Sequence, residues 1–172
     1  REVGPLRMSR PEPVVLTYAE PMSEPTVVVL NGPNLNLLGE RAPAVYGTAT
    51  LTDVETLCRE TADQLGLEVE LLQSNDEGAL VEAIQERRRS AAAMVVNAAA
   101  YSHTSVAIMD ALATVDGPVV EVHLSNVHAR EEFRRHSYVS LVADVVIAGA
   151  GAHGYALALR HVAALLATNR GK

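Results

Sequence analysis

The feature that most constrains the fold is an alternation that begins at Thr26. Short apolar runs rich in β-branched residues alternate there with longer stretches of helical periodicity. Such runs are typical of buried strands, and helices between them connect neighbouring strands in parallel. The predicted strands span residues 27–30, 68–72, 94–96, 119–124 and 145–148.

Helical patterns fill the intervals between these strands. Thr52 and Glu55 predict a capping box for the first helix, and Gly66 predicts its end. The other predicted helices span about 77–89, 105–115 and 155–167, with a short one from about Arg130. We therefore expect an α/β fold of the flavodoxin-like type. It is a three-layer sandwich in which a five-stranded parallel sheet of order 2-1-3-4-5 has helices on both faces.

The first 25 residues differ from the rest of the chain. They hold five of the eight prolines and show no sustained period, so we expect an extended arm or flexible leader over residues 1–25. Residues 26–172 are then a single α/β domain, because 172 residues do not accommodate a second one.

Charge, cysteine content and hydropathy limit the partners, the cross-links and the location that we expect for the chain. A formal net charge of −7 argues against nucleic acid or an anionic membrane as the main partner. Cys58 is the only cysteine, so no intrachain disulfide can form. No apolar run approaches the ~20 residues of a spanning helix. We expect a cytoplasmic protein.

Ligands of doubly wound sheets bind beyond the carboxyl ends of the strands, where the winding reverses. The segments after strands one, three and four read "NGPNLN", "NAAAYSHTS" and "HLSNVH". They suit a small polyhydroxylated ligand, because they supply neutral hydrogen-bonding side chains. The alternative is that these residues only form turns and caps. The candidates are Asn31, Asn34, Asn97, Ser102, His103, Ser125 and Asn126.

The fourth strand places Glu121 and His123 on one face, because side chains alternate along a strand. A buried carboxylate needs a partner, and the His123 imidazole is the nearest candidate. The pair could hold and release a proton. A histidine that is only packed in the core is the alternative. The Leu124 and Ser125 backbone N–H groups end the strand, where they suit a carboxylate.

Tyr46 is the candidate base. It lies in a segment between Gly39 and Gly47 that is typical of a lid with hinges. An unperturbed tyrosine is only ~0.1% ionised at pH 7, so a nearby cation must lower its pKa. Arg41 and Arg134 are available. The alternative is an aromatic side chain that packs the segment against the body.

Two other kinds of site are disfavoured. Gly149, Gly151 and Gly154 form a G-x-G-x-x-G, but a dinucleotide fingerprint belongs at the first strand. His123, His128 and His136 fit no zinc signature.

These segments together resemble the type II 3-dehydroquinate dehydratases. The resemblance extends from Val27 to about Ala164 and rests on "NGPNLNLLG", "YSHTSVAI", "EVHLSNVHAREEFRRHS" and "GYALAL". It implies dehydration of 3-dehydroquinate to 3-dehydroshikimate in the shikimate pathway, which serves chorismate and aromatic amino acid biosynthesis. Biosynthetic and quinate-catabolic use both remain open. It also implies a dodecamer of trimers, with no metal, nucleotide or Schiff base.

The resemblance implies the catalytic roles one residue at a time. Tyr46 removes a proton from C2, and Arg41 keeps Tyr46 anionic. Asn34 stabilises the enolate through a water. His123 protonates the leaving C1 hydroxyl, and Glu121 orients His123.

The resemblance also implies how substrate is held. The substrate carboxylate contacts the Leu124 and Ser125 N–H groups, the Ser125 hydroxyl and Asn97, while His103 and Arg134 hold ring hydroxyls. Asp110 reaches the site of a neighbouring subunit.

Two positions depart from the family pattern. Ala99 stands where a glycine is usual, and we predict that it has an ordinary negative φ. Met109 stands where an arginine is expected beside Asp110, which predicts a weaker contact between subunits. If these changes disable the site, the chain is instead a non-catalytic carboxylate-binding member of the same fold.

Overall fold

The computed structural model of the protein describes residues 24–40 and 48–169. It contains one five-stranded parallel sheet in the order β2-β1-β3-β4-β5, as predicted. The strands are β1 (Thr26–Asn31), β2 (Glu68–Gln73), β3 (Ala93–Asn97), β4 (Val119–His123) and β5 (Val145–Ala148). The expected leader up to residue 23 and residues 41–47 of the expected lid, with Arg41 and Tyr46, lie outside the described residues.

Four α-helices cover the sheet within the described ranges. They are α1 (Leu51–Leu65), α2 (Glu77–Arg87), α3 (Val106–Leu112) and α4 (His153–Asn169). In β1, Val27 and Val29 join one hydrophobic cluster with α1 and α4, while Val28 and Leu30 join another with α2 and α3. The strand is buried on both faces, which explains its unbroken apolar sequence.

Several predicted boundaries were wrong. The capping box of α1 is formed by Thr50 and Asp53, two residues before the predicted pair. The short helix predicted from about Arg130 is a single 3-10 turn, Glu132–Arg134, which follows another 3-10 turn at Val127–Ala129. Short polar caps such as Asn126, whose side chain accepts the His128 N–H, favour turns over a continuous helix there.

The sheet brings the three predicted loops to one edge. Asn31 at the end of β1 pairs in register with Asn97 at the end of β3. His123 ends the adjacent β4. The functional candidates on these strands therefore meet at the carboxyl edge, as the topology rule predicts. None of the helices in the described ranges combines the length and apolar character needed to cross a membrane.

Candidate active site

A cleft of about 90 Å³ opens at this carboxyl edge. It brings together most of the predicted site residues that the structure describes: Asn34, Asn97, His103, His123, Leu124, Ser125 and Arg134. Part of the cleft wall is apolar. It is formed by two residues of the loop after β1 and two of the loop after β3: Leu35, Leu38, Ala99 and Ala100.

The predicted pairing of Glu121 with His123 is confirmed. His123 Nε2 lies 2.8 Å from Glu121 Oε1, and both side chains are almost completely buried. Burial raises the pKa of Glu121, but hydrogen bonds from His123, Ser137 and Ser140 together outweigh it and hold the pKa below its ordinary value. Glu121 is therefore charged and fixes the Nε2–H tautomer, which leaves His123 Nδ1 without this contact.

His103 is fixed as the opposite ring tautomer. Its Nδ1 lies 2.7 Å from the His136 carbonyl oxygen, which can only accept, so Nδ1 carries the proton. Its ring stacks on that of His123 with centroids 6.1 Å apart. Burial lowers the pKa of His103, and the nearby charges of His123 and Arg134 lower it further, against the opposing effect of the His136 hydrogen bond. A neutral His103 keeps its Nε2 as an acceptor.

Asn97 is held by a residue that sequence reasoning missed. Asn97 Nδ2 donates to the Tyr155 hydroxyl at 2.9 Å, and that hydroxyl donates to Asn31 Oδ1 at 2.6 Å. Burial raises the pKa of Tyr155, so its hydroxyl stays protonated. The only sequence signal was a polar-tipped aromatic in the otherwise small and apolar "GYALAL".

Asn34 occupies the left-handed region at φ 66°. Its backbone N–H donates to Asn75 Oδ1 at 2.8 Å, and Gln73 Nε2 donates to the same oxygen at 3.1 Å. Tyr101 donates its hydroxyl proton to the Asn75 carbonyl at 2.9 Å. Asn75, which follows β2, thus sets the backbone of Asn34, and no motif in the sequence pointed to it.

The prediction for Ala99 was wrong. Ala99 has φ 52°, in the left-handed region, where a methyl group costs on the order of 1 kcal/mol. The chain turns sharply after Asn97: the Ala99 N–H donates to Asn97 Oδ1 at 3.3 Å, and the Tyr101 N–H returns to the Ala98 carbonyl at 3.0 Å. This tight turn imposes the conformation that glycine would adopt without strain.

Among the described residues, two arginines line the cleft, and one of them was not predicted. Arg134 Nε donates to Glu131 Oε2 at 3.1 Å, and Arg130 Nε lies 3.5 Å from the same oxygen. Arg130 also donates to the Ser125 hydroxyl at 3.4 Å. Arg130 precedes Arg134 by four residues in "HAREEFRRH", a charge spacing that could have indicated the pair.

In addition to Asn31 and Glu121, three described candidates are not among the residues that line this cleft. Asp110 is exposed on α3 and is not among the lining residues, and its role at a neighbouring subunit stays a prediction. Ser102 is fully buried, and its hydroxyl has no hydrogen-bond partner among the described residues. Asn126 forms a turn, in agreement with the alternative interpretation.

The glycines at the start of α4 have a packing role. A Cβ on Gly149 would lie 3.2 Å from the Asn126 Cβ, and one on Gly154 would lie 3.3 Å from Val122 Cγ1. This close packing, together with φ +85° at Gly149, explains why glycine occurs at two of the three positions of the motif. No bound dinucleotide is needed to explain them.

Comparisons with known proteins agree with the geometry. The family described as "Dehydroquinase class II" matches residues 25–163. The chain is 63% identical to the 3-dehydroquinate dehydratase of Methylobacterium radiotolerans, over 83% of this chain and 95% of the relative. It is 61% identical to that of Streptomyces avermitilis, over 84% and 91% respectively.

Solved structures show the same likeness. The type II dehydroquinase from Propionibacterium acnes superposes with a TM-score of 0.77 at 44% identity, covering 81% of this chain and 96% of that one. A 3-dehydroquinate dehydratase-like protein from Bifidobacterium longum gives 0.62 at 35% identity, covering 83% and 98%. On the family match, the identities and the shared fold, this chain belongs to the class II dehydroquinase family.

Proposed function

We propose that the protein is a hydro-lyase that eliminates water from 3-dehydroquinate to give 3-dehydroshikimate, a step of the shikimate pathway. The observation that carries this proposal is the buried Glu121–His123 pair at the wall of a polar cleft. The names of the relatives at 63% and 61% identity support the same substrate.

In this reaction His123 is the general acid. Its Nε2–H is held by Glu121 at 2.8 Å, so Nδ1 is the nitrogen that serves the substrate. The protonated imidazole gives its Nδ1 proton to the C1 hydroxyl as the C–O bond breaks, and water leaves. The Glu121 carboxylate orients the ring throughout the transfer.

The base is Tyr46, and Arg41 keeps it anionic. Tyrosinate removes the C2 proton, and the electron pair moves into the neighbouring carbonyl to form an enolate. Asn34, at the cleft wall, stabilises that charge through a bound water. Collapse of the enolate expels the C1 hydroxyl, so the reaction is redox-neutral and its proton transfers need no cofactor.

Substrate binding uses the rest of the cleft. The carboxylate contacts the Leu124 and Ser125 N–H groups, the Ser125 hydroxyl and Asn97. Among the described residues neither N–H donates to another backbone group, which leaves both available for an anion. His103 and Arg134 hold the ring hydroxyls, and Arg130, beside Ser125, adds positive charge.

Assembly completes the proposed site. Asp110, exposed on α3, enters the cleft of a neighbouring subunit in a trimer, and four trimers form a dodecamer. The protein works in the cytoplasm, consistent with its single cysteine and acidic charge.

The test is a direct assay of the purified protein with 3-dehydroquinate, following the ultraviolet absorbance of the conjugated enone product. Tyr46→Phe and His123→Ala are assayed beside the wild type, and both should abolish turnover. A folded, oligomeric wild type that binds the substrate without forming enone would instead identify a non-catalytic carboxylate-binding member of the fold.

A further inference from the structure

The segment 136–141 holds both histidines of the cleft. It contacts His103 directly and His123 through Glu121. The His136 carbonyl accepts the Nδ1–H of His103 at 2.7 Å. The hydroxyls of Ser137 and Ser140 donate to the two carboxylate oxygens of Glu121, which in turn holds His123. Neither serine lines the cleft, and the contact of their hydroxyls with the site is through the Glu121 carboxylate.

The direction of these hydrogen bonds is determined. Ser137 Oγ lies 2.5 Å from Glu121 Oε1 and accepts the Ser140 backbone N–H at 3.3 Å. A carboxylate only accepts, so the hydroxyl protons of both serines point to Glu121. The carboxylate, which is 0% exposed, thereby has a donor on each oxygen in addition to His123.

The serines lie on an anchored turn. The Tyr138 N–H donates to the Ser102 carbonyl at 2.8 Å, next to His103 in sequence. Val139 is fully buried, and its carbonyl accepts the Ala143 N–H at 3.0 Å. The two hydroxyls are thus presented by a fixed backbone, as a positioning role requires.

We propose that Ser137 and Ser140 are positioning residues for proton transfer by His123, because their hydroxyls keep the Glu121 carboxylate charged and aimed at Nε2. This inference rests on the proposed function. Within residues 24–40 and 48–169, titratable groups near Glu121 come from two elements: His123 on β4, and His103 after β3, which is close enough to experience the Glu121 charge. Arg134 acts on His103 in turn.

The test compares Ser137→Ala, Ser140→Ala and the double variant with the wild type across pH. Loss of a hydroxyl donor should make the buried Glu121 carboxylate easier to protonate and less well aimed at His123. We therefore expect kcat to fall about tenfold and the acidic limb of the kcat profile to move up by about one pH unit. KM should change less than about twofold, because the serines do not line the cleft. Ser137→Thr and Ser140→Thr keep the hydroxyl and should restore the limb.

Ser90→Ala is the matched control, since Ser90 is exposed at a remote turn. If an alanine variant does not fold, Ser→Cys at the same position carries the test, because a thiol is a similar-sized but weaker donor. A double variant with the wild-type acidic limb overturns the inference, and so does a fall in kcat with no shift of that limb.

A second readout is independent of turnover. Nitrogen NMR should show that the neutral His123 ring is the Nε2–H tautomer in the wild type. In the serine variants the neutral ring should be a mixture of tautomers. Unchanged ring signals in the double variant would overturn the role of the serines. Absence of enone formation by the wild type would instead overturn the proposed function, so the two failures are distinguishable.

Discussion

Asn97 donates a 2.9 Å hydrogen bond to the Tyr155 hydroxyl, which joins the end of β3 to α4 across 58 positions of the sequence. The bond lies in the interior, where Tyr155 is completely buried. The amide that is proposed to meet the substrate carboxylate is therefore oriented by the last helix of the domain.

Tyr155→Phe should separate this orientation from mere packing. Loss of the hydroxyl leaves Asn97 Nδ2 and Asn31 Oδ1 without their buried partner, so the free energy of unfolding should fall by about 1–3 kcal/mol. KM should rise more than kcat falls, and denaturant titration with steady-state kinetics measures both. Tyr138→Phe is the control, because its hydroxyl makes no hydrogen bond within the described ranges, and it should cost less than about 0.5 kcal/mol. Equal losses in the two variants would contradict the role given to Tyr155.

Ala99→Gly should stabilise the protein. At φ 52° the change removes left-handed strain of about 1 kcal/mol, part of which is offset by the greater freedom of glycine in the unfolded chain. Ala100→Gly is the matched comparison on the same turn. Ala100 has no positive φ, so that variant should lose about 0.5–1 kcal/mol. Thermal unfolding of the pair should give shifts of opposite sign, and shifts of the same sign would argue against strain at Ala99.

Glu121→Gln should lower kcat about a hundredfold, because a neutral amide does not fix the ring tautomer of His123 as a carboxylate does. The pH dependence of stability should change too. Since the pKa of Glu121 is lowered by folding, its charge stabilises the wild type above the ordinary value of 4.5, and this contribution disappears as pH falls through the lowered value. The variant should therefore lose stability less steeply in acid, as denaturation at stepped pH would reveal.

Glu70→Gln is the control for that experiment. The Glu70 carboxylate also has a lowered pKa, caused first by its hydrogen bond to Arg87, but its side chain is 41% exposed. Such a surface pair contributes less than about 1 kcal/mol, and kcat should be unchanged. A comparable loss of activity in both variants would show that the effect does not arise at the cleft.

Met109→Arg should strengthen the proposed contact between subunits. Met109 is half-buried beside the exposed Asp110 on α3, where a cation could pair with a carboxylate. Size measurements across a dilution series should show the variant dissociating at lower concentration than the wild type, or its KM should be lower. Identical assembly and KM would mean that Met109 does not weaken the contact.

Local periodicity and topology accounted for much of this architecture. The unbroken apolar β1 and the period-two pattern of β4 predicted the sheet and the Glu121–His123 pair, because both depend on the geometry of single strands. Helix ends were less well predicted: Thr50 and Asp53 compete with Thr52 and Glu55 for the same capping motif, and the sequence does not rank them.

The groups that support the site were missed for a different reason. Ser137, Ser140, Asn75 and Tyr155 reach their partners across long sequence separations, from loops and from a helix whose placement depends on the whole fold. Ala99 was mispredicted because its residue type favours negative φ, whereas the turn after Asn97 requires the opposite. Tertiary geometry thus decided what local preference could not.

The two stacked imidazoles have a consequence for inhibitor design. His103 presents an unprotonated nitrogen and the charged form of His123 presents a protonated one, with ring centroids 6.1 Å apart. A tight ligand should offer a hydroxyl to the first and an ether or carbonyl oxygen to the second. A compound with those two groups exchanged would place the lone pair of its ether or carbonyl oxygen against the lone pair of His103, and should bind less tightly, although its hydroxyl could still accept from His123.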